Sequence, residues 1–419
     1  MRGKKLATLK TILASLFVMS MVFVMGTTTA EAAPAKVTDV KQTSATKSSI
    51  DLTWNPVAGS NIKYEVQYSL DKVNWESDSA YKNENCLVGL NAGSTYFVRV
   101  AAVSNYTEYG TYSDPVEMVT SPDVTTEAVV QTDATSSSAT VCWNAVPGAN
   151  VYDVYYYTTG DQKVVVASTS ETTAIVPNIP ADSYFTVYVD AKRVAVSAPN
   201  FAACSDYMYA TGVMTTPDKL AIVKYDRDPR KKVYKKKNSY YNTMTIAHGL
   251  ALNANGYEVY LYNSKGKLIK TVDDTNIYTI YTTIPKVKTT DTVYVQVRAY
   301  TYINGTKKYG EYSDKLLSVG APTATAKKSG SGVKISWSKI AGAKKYNIYM
   351  STDGKSYKKI KTVSSKKSRN IVVSKFKGKK FKAYQTYYYY VEAVGKYGKK
   401  TAKSDIFWVN SFSFRYKYK

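Results

Sequence analysis

Nucleophilic and acid–base catalysis call for a proton carrier that titrates near neutrality, and this chain of 419 residues has one histidine, His248. Away from that position no Ser–His or Cys–His nucleophile can be assembled, and no ligand spacing suits a zinc site. Paired carboxylates are a second route, since a glycosidase needs only two. Here Asp and Glu are scattered over turns and over strand positions that read as solvent-facing. The tightest cluster, Asp226-Arg227-Asp228-Pro229, reads as a charged turn in preference to a calcium or catalytic site. No glycine-rich phosphate loop is visible. The residues therefore predict a protein that is not an enzyme and needs no cofactor or metal.

The three cysteines are Cys86, Cys142 and Cys204. An odd number leaves at least one thiol unpaired within the chain. Cys142 precedes Trp143, which reads as core-facing, so strand alternation turns Cys142 outward. A Cys142–Cys204 bridge is the weaker reading, and free thiols are expected.

Charge is the most pointed chemical feature. Residues 34–122 carry 7 bases and 10 acids, and 123–216 carry 3 and 9. Residues 217–320 carry 18 and 9, and 321–419 carry 25 and 3. A well-solvated surface mixes both signs. An excess this large at one end predicts a polyanion partner. The bases cluster as Lys358, Lys359 and Lys361, as Lys366, Lys367 and Arg369, and as Lys375, Lys377, Lys379, Lys380 and Lys382. The first two groups flank an expected turn. The third has the alternate spacing that would put several charges on one strand face.

The elements that must carry these groups announce themselves as a repeat. WNPVAGSNIKYEVQY (Trp54 to Tyr68) returns as WNAVPGANVYDVYY from Trp143 and as WSKIAGAKKYNIYM from Trp337. A degraded copy, HGLALNANGYEVYLY, starts at His248. In each, a large ring ends one strand, a short turn follows, and a tyrosine (Tyr64, Tyr152, Tyr257 or Tyr346) opens an alternating strand. His248 stands where the other copies have Trp, so it reads as a core ring. Four copies of one supersecondary unit imply four copies of one domain. The 40 tyrosines and the many Val and Thr suit half-buried pleated strands, so the chain reads as all-β.

Proline marks the boundaries at Ser121-Pro122, Thr216-Pro217 and Ala321-Pro322. The units are 34–122, 123–216, 217–320 and 321–419. Residues 1–32 read as a secretory signal peptide, with Arg2, Lys4, Lys5 and Lys10 before an apolar run and Ala30-Glu31-Ala32 at the cleavage site. No later segment reads as a transmembrane anchor. Each unit also ends alike. Leu90-x5-Tyr96 precedes a long strand, and Tyr387 opens its counterpart in the last unit. Tyr109-Gly110-Thr111-Tyr112-Ser113-Asp114 returns as Tyr309-Gly310-Glu311-Tyr312-Ser313-Asp314.

A proline-led first strand, a Trp on the second, a Tyr opening the third and a Leu-x5-Tyr corner resemble fibronectin type III domains. The Gly-Ala-x-x-Tyr turn and the Tyr-Gly-x-Tyr-Ser ending resemble the bacterial secreted version. The resemblance spans nearly all of 34–419 and is weakest in the third unit. It implies a seven-stranded sandwich of two antiparallel sheets in each unit, with the corner hydroxyls of Tyr96 and Tyr387 bonded to nearby backbone. Phe185 and Val293 fall at the corner in the second and third units, where no hydroxyl is available.

These readings lead to an exported, non-enzymatic surface protein for binding or adhesion, expected of a Gram-positive bacterium. Its basic half would rest on envelope polyanions. Wall teichoic acid, an anionic membrane surface or a host sulfated glycan are the partners expected, with nucleic acid excluded by export and a host or surface protein open for the acidic half. The alternatives are a freely released ligand for a host receptor and the accessory arm of a polysaccharide-degrading system. The tyrosine runs 155–157 and 387–390 read either as amphipathic strand surface or as ring platforms for sugar or protein.

Overall fold

The computed structural model describes residues 33–124, 128–197, 201–205, 209–227, 234–236 and 239–414. The signal-peptide reading of 1–32 and the Asp228-Pro229 half of the acidic cluster lie outside these residues. Among the described residues there is no helix, and every sheet pairing is antiparallel apart from one isolated bridge, Ala383 to Phe414. The chain divides into two compact units. One holds the described chain up to Val124 together with Val146–Asn150 and the stretch from Lys192 to residue 205, and the second holds the remainder.

The first unit contains a complete sandwich. Strands Lys41–Ala45, Ser49–Thr53 and Glu84–Val88 form a three-stranded sheet. Strands Lys63–Ser69, Glu76–Ala80, Thr95–Ser104, Glu108–Tyr109 and Val116–Val119 form the facing five-stranded one. Alternation does the sorting: in Ser49–Thr53, Ile50 and Leu52 are buried and their neighbours are partly exposed. Each such side chain removed from water contributes roughly 1.5–3 kcal/mol.

In the second unit the third and fourth sandwiches repeat this scheme. The third pairs a sheet centred on Ser239–His248 with one centred on Gly256–Asn263 and Val293–Ile303. The fourth pairs Ala324–Ser329, Gly332–Trp337 and Asn370–Val373 with a sheet centred on Ala343–Ser351 and Thr386–Tyr397. Between 123 and 216 the same two sheets occur, one of Val130–Ala134, Ala139–Cys142 and Thr173–Val176, the other built on Val151–Tyr157 and Tyr184–Val194. The sheets thus group as four sandwiches.

Seven strands were expected in each and eight are found in the first, because the last strand is broken in two. The break falls at the Ser-Asp ending. Ser113 Oγ accepts the Val100 N–H at 3.0 Å, Ser313 Oγ accepts that of Val297 at 2.9 Å, and Ser404 Oγ that of Ala393 at 3.0 Å. A side-chain oxygen there supplies an acceptor in place of a ladder carbonyl, and the strand resumes beyond it. Gly110 and Gly310 are needed just before the break. A Cβ at either would lie 2.5 Å from the Pro34 carbonyl oxygen or 2.3 Å from that of Pro217.

The repeated ring and tyrosine meet in every sandwich. Ring centroids lie 5.2 Å apart for Trp54–Tyr64, 5.4 Å for Trp143–Tyr152, 4.4 Å for His248–Tyr257 and 5.7 Å for Trp337–Tyr346. The tyrosine hydroxyl then accepts a backbone N–H from the intervening turn: Val57 to Tyr64 at 2.9 Å, Ala251 to Tyr257 at 3.2 Å and Ile340 to Tyr346 at 2.9 Å. The corner tyrosines do likewise, Tyr96 accepting from Asn91 at 2.9 Å and Tyr387 from Lys382 at 3.1 Å. Phe185 and Val293 occupy the corresponding corners with no hydroxyl to offer.

Removing the hydroxyl while keeping the ring isolates this bond. Tyr346→Phe leaves the buried Ile340 N–H without its acceptor and should cost the fourth sandwich about 1–3 kcal/mol. Trp337→Ala should cost about 3–5 kcal/mol. Chemical denaturation of the two variants checks the order; a Phe variant as unstable as the Ala variant would assign the stability elsewhere.

Candidate functional site

His248 closes the strand Ser239–His248 and is 2% exposed. Nδ1 lies 2.8 Å from the Gly249 carbonyl, so it carries the proton; Nε2, 3.1 Å from Thr282 Oγ1, accepts from that hydroxyl. Burial pushes the imidazole below 6.5, against the Gly249 bond and the field of Asp274, which pull the other way. Both nitrogens are engaged with structural partners, leaving neither free to serve a substrate. By contrast, the buried indole N–H groups of Trp54, Trp143 and Trp337 have no hydrogen-bond partner within the protein.

The structure corrects the reading of the carboxylates as solvent-facing. Asp153, Asp190, Glu258 and Glu392 are each buried on the outward face of the larger sheet, beneath rings and bases. Tyr155 donates to Asp190 at 2.9 Å, and Lys163 joins it at 2.7 Å. In the third sandwich Glu258 takes bonds from Lys307 at 2.8 Å, from Arg298 at 3.0 Å and from the Tyr260 hydroxyl. Burial alone would raise Glu258, yet these bonds outweigh it and bring it down to about 2. Arg298 also lies over the Tyr309 ring at 3.4 Å. In the first sandwich Arg99 sits 4.0 Å from Trp75 and 4.5 Å from Tyr112 and donates to Gln67. Each network covers its sheet, with Arg298 Nε left without a hydrogen-bond partner in the third sandwich.

The Asp226-Arg227 half of the supposed charged turn is also corrected. Arg227 is 1% exposed, and its Nη1 donates to the Asp291 carbonyl at 3.0 Å. Burial lowers its guanidinium from the ordinary value, against the fields of Tyr225, Asp405 and Asp291. Among the described residues no disulfide joins Cys86, Cys142 or Cys204. Cys86 is not an activated thiol: its hydrogen bond to Asp51 and its partial burial push it up.

All eleven bases singled out in 358–382 are exposed, and among the described residues no carboxylate forms an ion pair with any of them. Lys358, Lys359 and Lys361 lie on Lys358–Ser364, an outer strand of the larger sheet. Lys366, Lys367 and Arg369 follow in the connection to Asn370–Val373, an outer strand of the smaller sheet. The third cluster was expected along one strand. Instead, Lys375–Phe376 pairs with Lys379–Lys380 in a two-stranded hairpin, placing Lys375 opposite Lys380. Lys377 and Gly378 both have positive φ, 50° and 78°, and the glycine makes that reversal cheap.

Repeated sandwiches with covered sheet faces are the build of a modular binding or adhesion protein. Residues 35–119 match the family model of the fibronectin type III domain. Residues 35–119 are therefore a fibronectin type III domain, and the later sandwiches repeat that domain's sheet order. Among solved structures it is similar to the FN1-FN3 domains of chicken CNTN1, at 15% identity over 68% of this chain and 98% of that one, with a TM-score of 0.28. It is also similar to a segment of two fibronectin type III domains from chicken tenascin, at 19% identity over 44% of this chain and 100% of that one, with a TM-score of 0.25. Domains of this family are in general non-catalytic scaffolds and typical of extracellular proteins. Among the described residues no helix is long and apolar enough to cross a membrane.

With one histidine in the chain, His248 can be read directly by proton NMR. Its folded-state midpoint is expected below the ordinary 6.5. A depressed histidine favours folding fully above 6.5, and that contribution falls as pH drops from 6.5 through the folded value. Denaturation midpoints should therefore decline over the same window. A titration at or above 6.5 would place the ring in solvent.

Proposed function

We propose that this protein is an exported, non-enzymatic surface module held by its C-terminal sandwich on an anionic polymer, while its acidic first half makes contacts of another kind. The observation that carries this is the run of eleven exposed, unpaired bases in 358–382. Two outer strands and a hairpin hold them at fixed places on a folded surface. Lysine on outer strands also guards against edge-to-edge aggregation. That role needs only a few charges: the corresponding outer strand of the first sandwich, Glu76–Ala80, carries two, Glu76 and Asp78, and no lysine. Repulsion among eleven ammonium and guanidinium groups is relieved when a linear polyanion docks and its counterions are released. At physiological salt, screening acts over about 8 Å, so only closely seated phosphate or sulfate groups hold. Wall teichoic acid, an anionic membrane surface and host sulfated glycan all meet that description. Nucleic acid does not suit an exported protein. The N-terminal leader motif read in 1–32 and the family to which 35–119 belongs support export.

The test compares the full chain with a variant in which Lys375, Lys377, Lys379, Lys380 and Lys382 become Gln. Exposed changes of this sort alter stability by no more than about 0.5 kcal/mol each. On heparin and teichoic-acid columns the parent is expected to elute at distinctly higher salt than the variant. Equal elution of the two, or loss of the parent at low salt, would reduce the charge to a solubility device and favour the freely released ligand.

A further inference from the structure

The four larger sheets can be compared row by row, because the pairing register aligns them. Three residues after the ring-partner tyrosine, the central strand presents Gln67, Tyr155, Tyr260 or Tyr349 to the outside. Across the outer strand the partners are Ser77, Val165, Thr271 and Lys359 respectively. On the other side stand Arg99 opposite Gln67, Gln296 opposite Tyr260 and Tyr390 opposite Tyr349, while Tyr188 stacks on Tyr155 at 5.4 Å.

Only the fourth row joins stacked rings to an unpaired cation at the sheet's rim. Tyr349 and Tyr390 stack with centroids 4.7 Å apart, and Tyr357 leans on Tyr390 at 4.9 Å. All three rings are partly exposed. In the second and third rows the base near the rings is already neutralised, Lys163, over Tyr155, by Asp190, and Arg298, over Tyr260 and Tyr309, by Glu258, while in the first Arg99 lies over Trp75 and Tyr112 with its guanidinium bonded to Gln67. Lys359 is exposed and has no such partner. Beside the row, the buried Asn347 and Glu392 are joined at 2.9 Å, Thr362 donates to Asn347 at 2.8 Å, and the Tyr349 hydroxyl donates to Glu392 at 3.3 Å, which holds that ring in place.

We infer that the row Lys359–Tyr349–Tyr390 is a subsite for one acidic sugar ring of a polysaccharide. The inference rests on the polyanion reading and narrows it. The C–H face of a pyranose lies against the tyrosine rings, and its sulfate or carboxylate meets Lys359. The neighbouring bases of the same outer strand, Lys358 and Lys361, take the next charges along the chain. Mutual stacking fixes the rings before the ligand arrives, which lowers the ordering cost of binding. A ringless polyanion gains the charge contacts and loses the stacking.

Two soluble probes separate these contributions: heparin, which is a sulfated polysaccharide, and inorganic polyphosphate, which has no ring. Using the full chain, Tyr349→Ser should weaken heparin binding about three- to tenfold. Polyphosphate binding should stay unchanged, and Tyr349→Phe should keep the parent's heparin affinity. A second comparison does not depend on the ring variants folding. Lys359→Gln should weaken heparin more than Lys327→Gln, an equal change in charge at an exposed position on the smaller sheet. Equal losses for the two lysines, or a Tyr349→Ser effect common to both probes, would overturn the subsite and leave polyanion binding standing. If the parent binds neither probe, both readings fall together.

Discussion

Each sandwich depends on one small arrangement, a ring that ends one strand and a tyrosine that opens the next, and in the first, third and fourth the tyrosine's hydroxyl turns back on the backbone between them. The ring contact closes the core, and the hydroxyl bond ties the turn to the strand that follows it. Because the turn joins the two sheets, fixing it fixes how the sheets stack. Strand alternation then buries the right face of each neighbour without further instruction. In the first sandwich the turn has one more residue between ring and tyrosine than in the others, and the hydroxyl still finds a turn amide, Val57. The arrangement tolerates a change of turn length because it asks only for a free N–H within reach.

The third sandwich shows how far the ring itself can change. Histidine fills less volume than tryptophan and brings two nitrogens that must be satisfied once buried. The structure meets both conditions. His248 and Tyr257 centroids approach to 4.4 Å, closer than any of the Trp–Tyr pairs, and both nitrogens are bonded. The tryptophans leave an indole N–H unpartnered but contribute a larger apolar ring. The two solutions exchange apolar contact for hydrogen bonding at one position, and the proton affinity of the imidazole is set by that burial.

Much of this was legible in the residues. Periodicity and the repeated ring, turn and tyrosine disclosed the all-β class and the four copies, since burial on one sheet face writes itself into the sequence at period two. The buried acids were not legible. Asp190 and Glu258 lie on the outward face by alternation, and only the positions of Lys163, Arg298 and several tyrosines, brought across from other strands, cover them. Arg227 was missed for the same reason: its burial comes from residues distant in sequence, such as Asp291. The basic hairpin was missed on a local signal that was present. Lys377-Gly378 between two lysine pairs is a two-residue reversal, and the spacing of the charges was weighed ahead of the glycine.

The fourth sandwich cannot neutralise itself, and the reason lies in how its three acids are used. Asp353 is exposed but is tied into its turn. It accepts from Ser351 at 2.6 Å and from the amides of Lys355 and Ser356 at 2.8 Å, and these bonds hold its carboxyl below the usual range. Glu392 is buried, bonded to Asn347 and met by Lys403 at 3.5 Å. Asp405 is pushed up by burial, against the field of Arg227. Its counterparts Asp114 and Asp314 are exposed and pair with Lys36 and Lys219 at 3.0 and 3.1 Å, each two residues after a proline and ahead of the first strand. Ala324 stands two residues after Pro322, where those strands have their lysines. Every acid in this sandwich is thus committed to internal structure, and the bases among its described residues are exposed with no surface carboxylate free to answer them. A fold that directs its few acids inward, and spreads its bases along two outer strands and a hairpin, leaves its surface with a positive charge that its own residues do not balance.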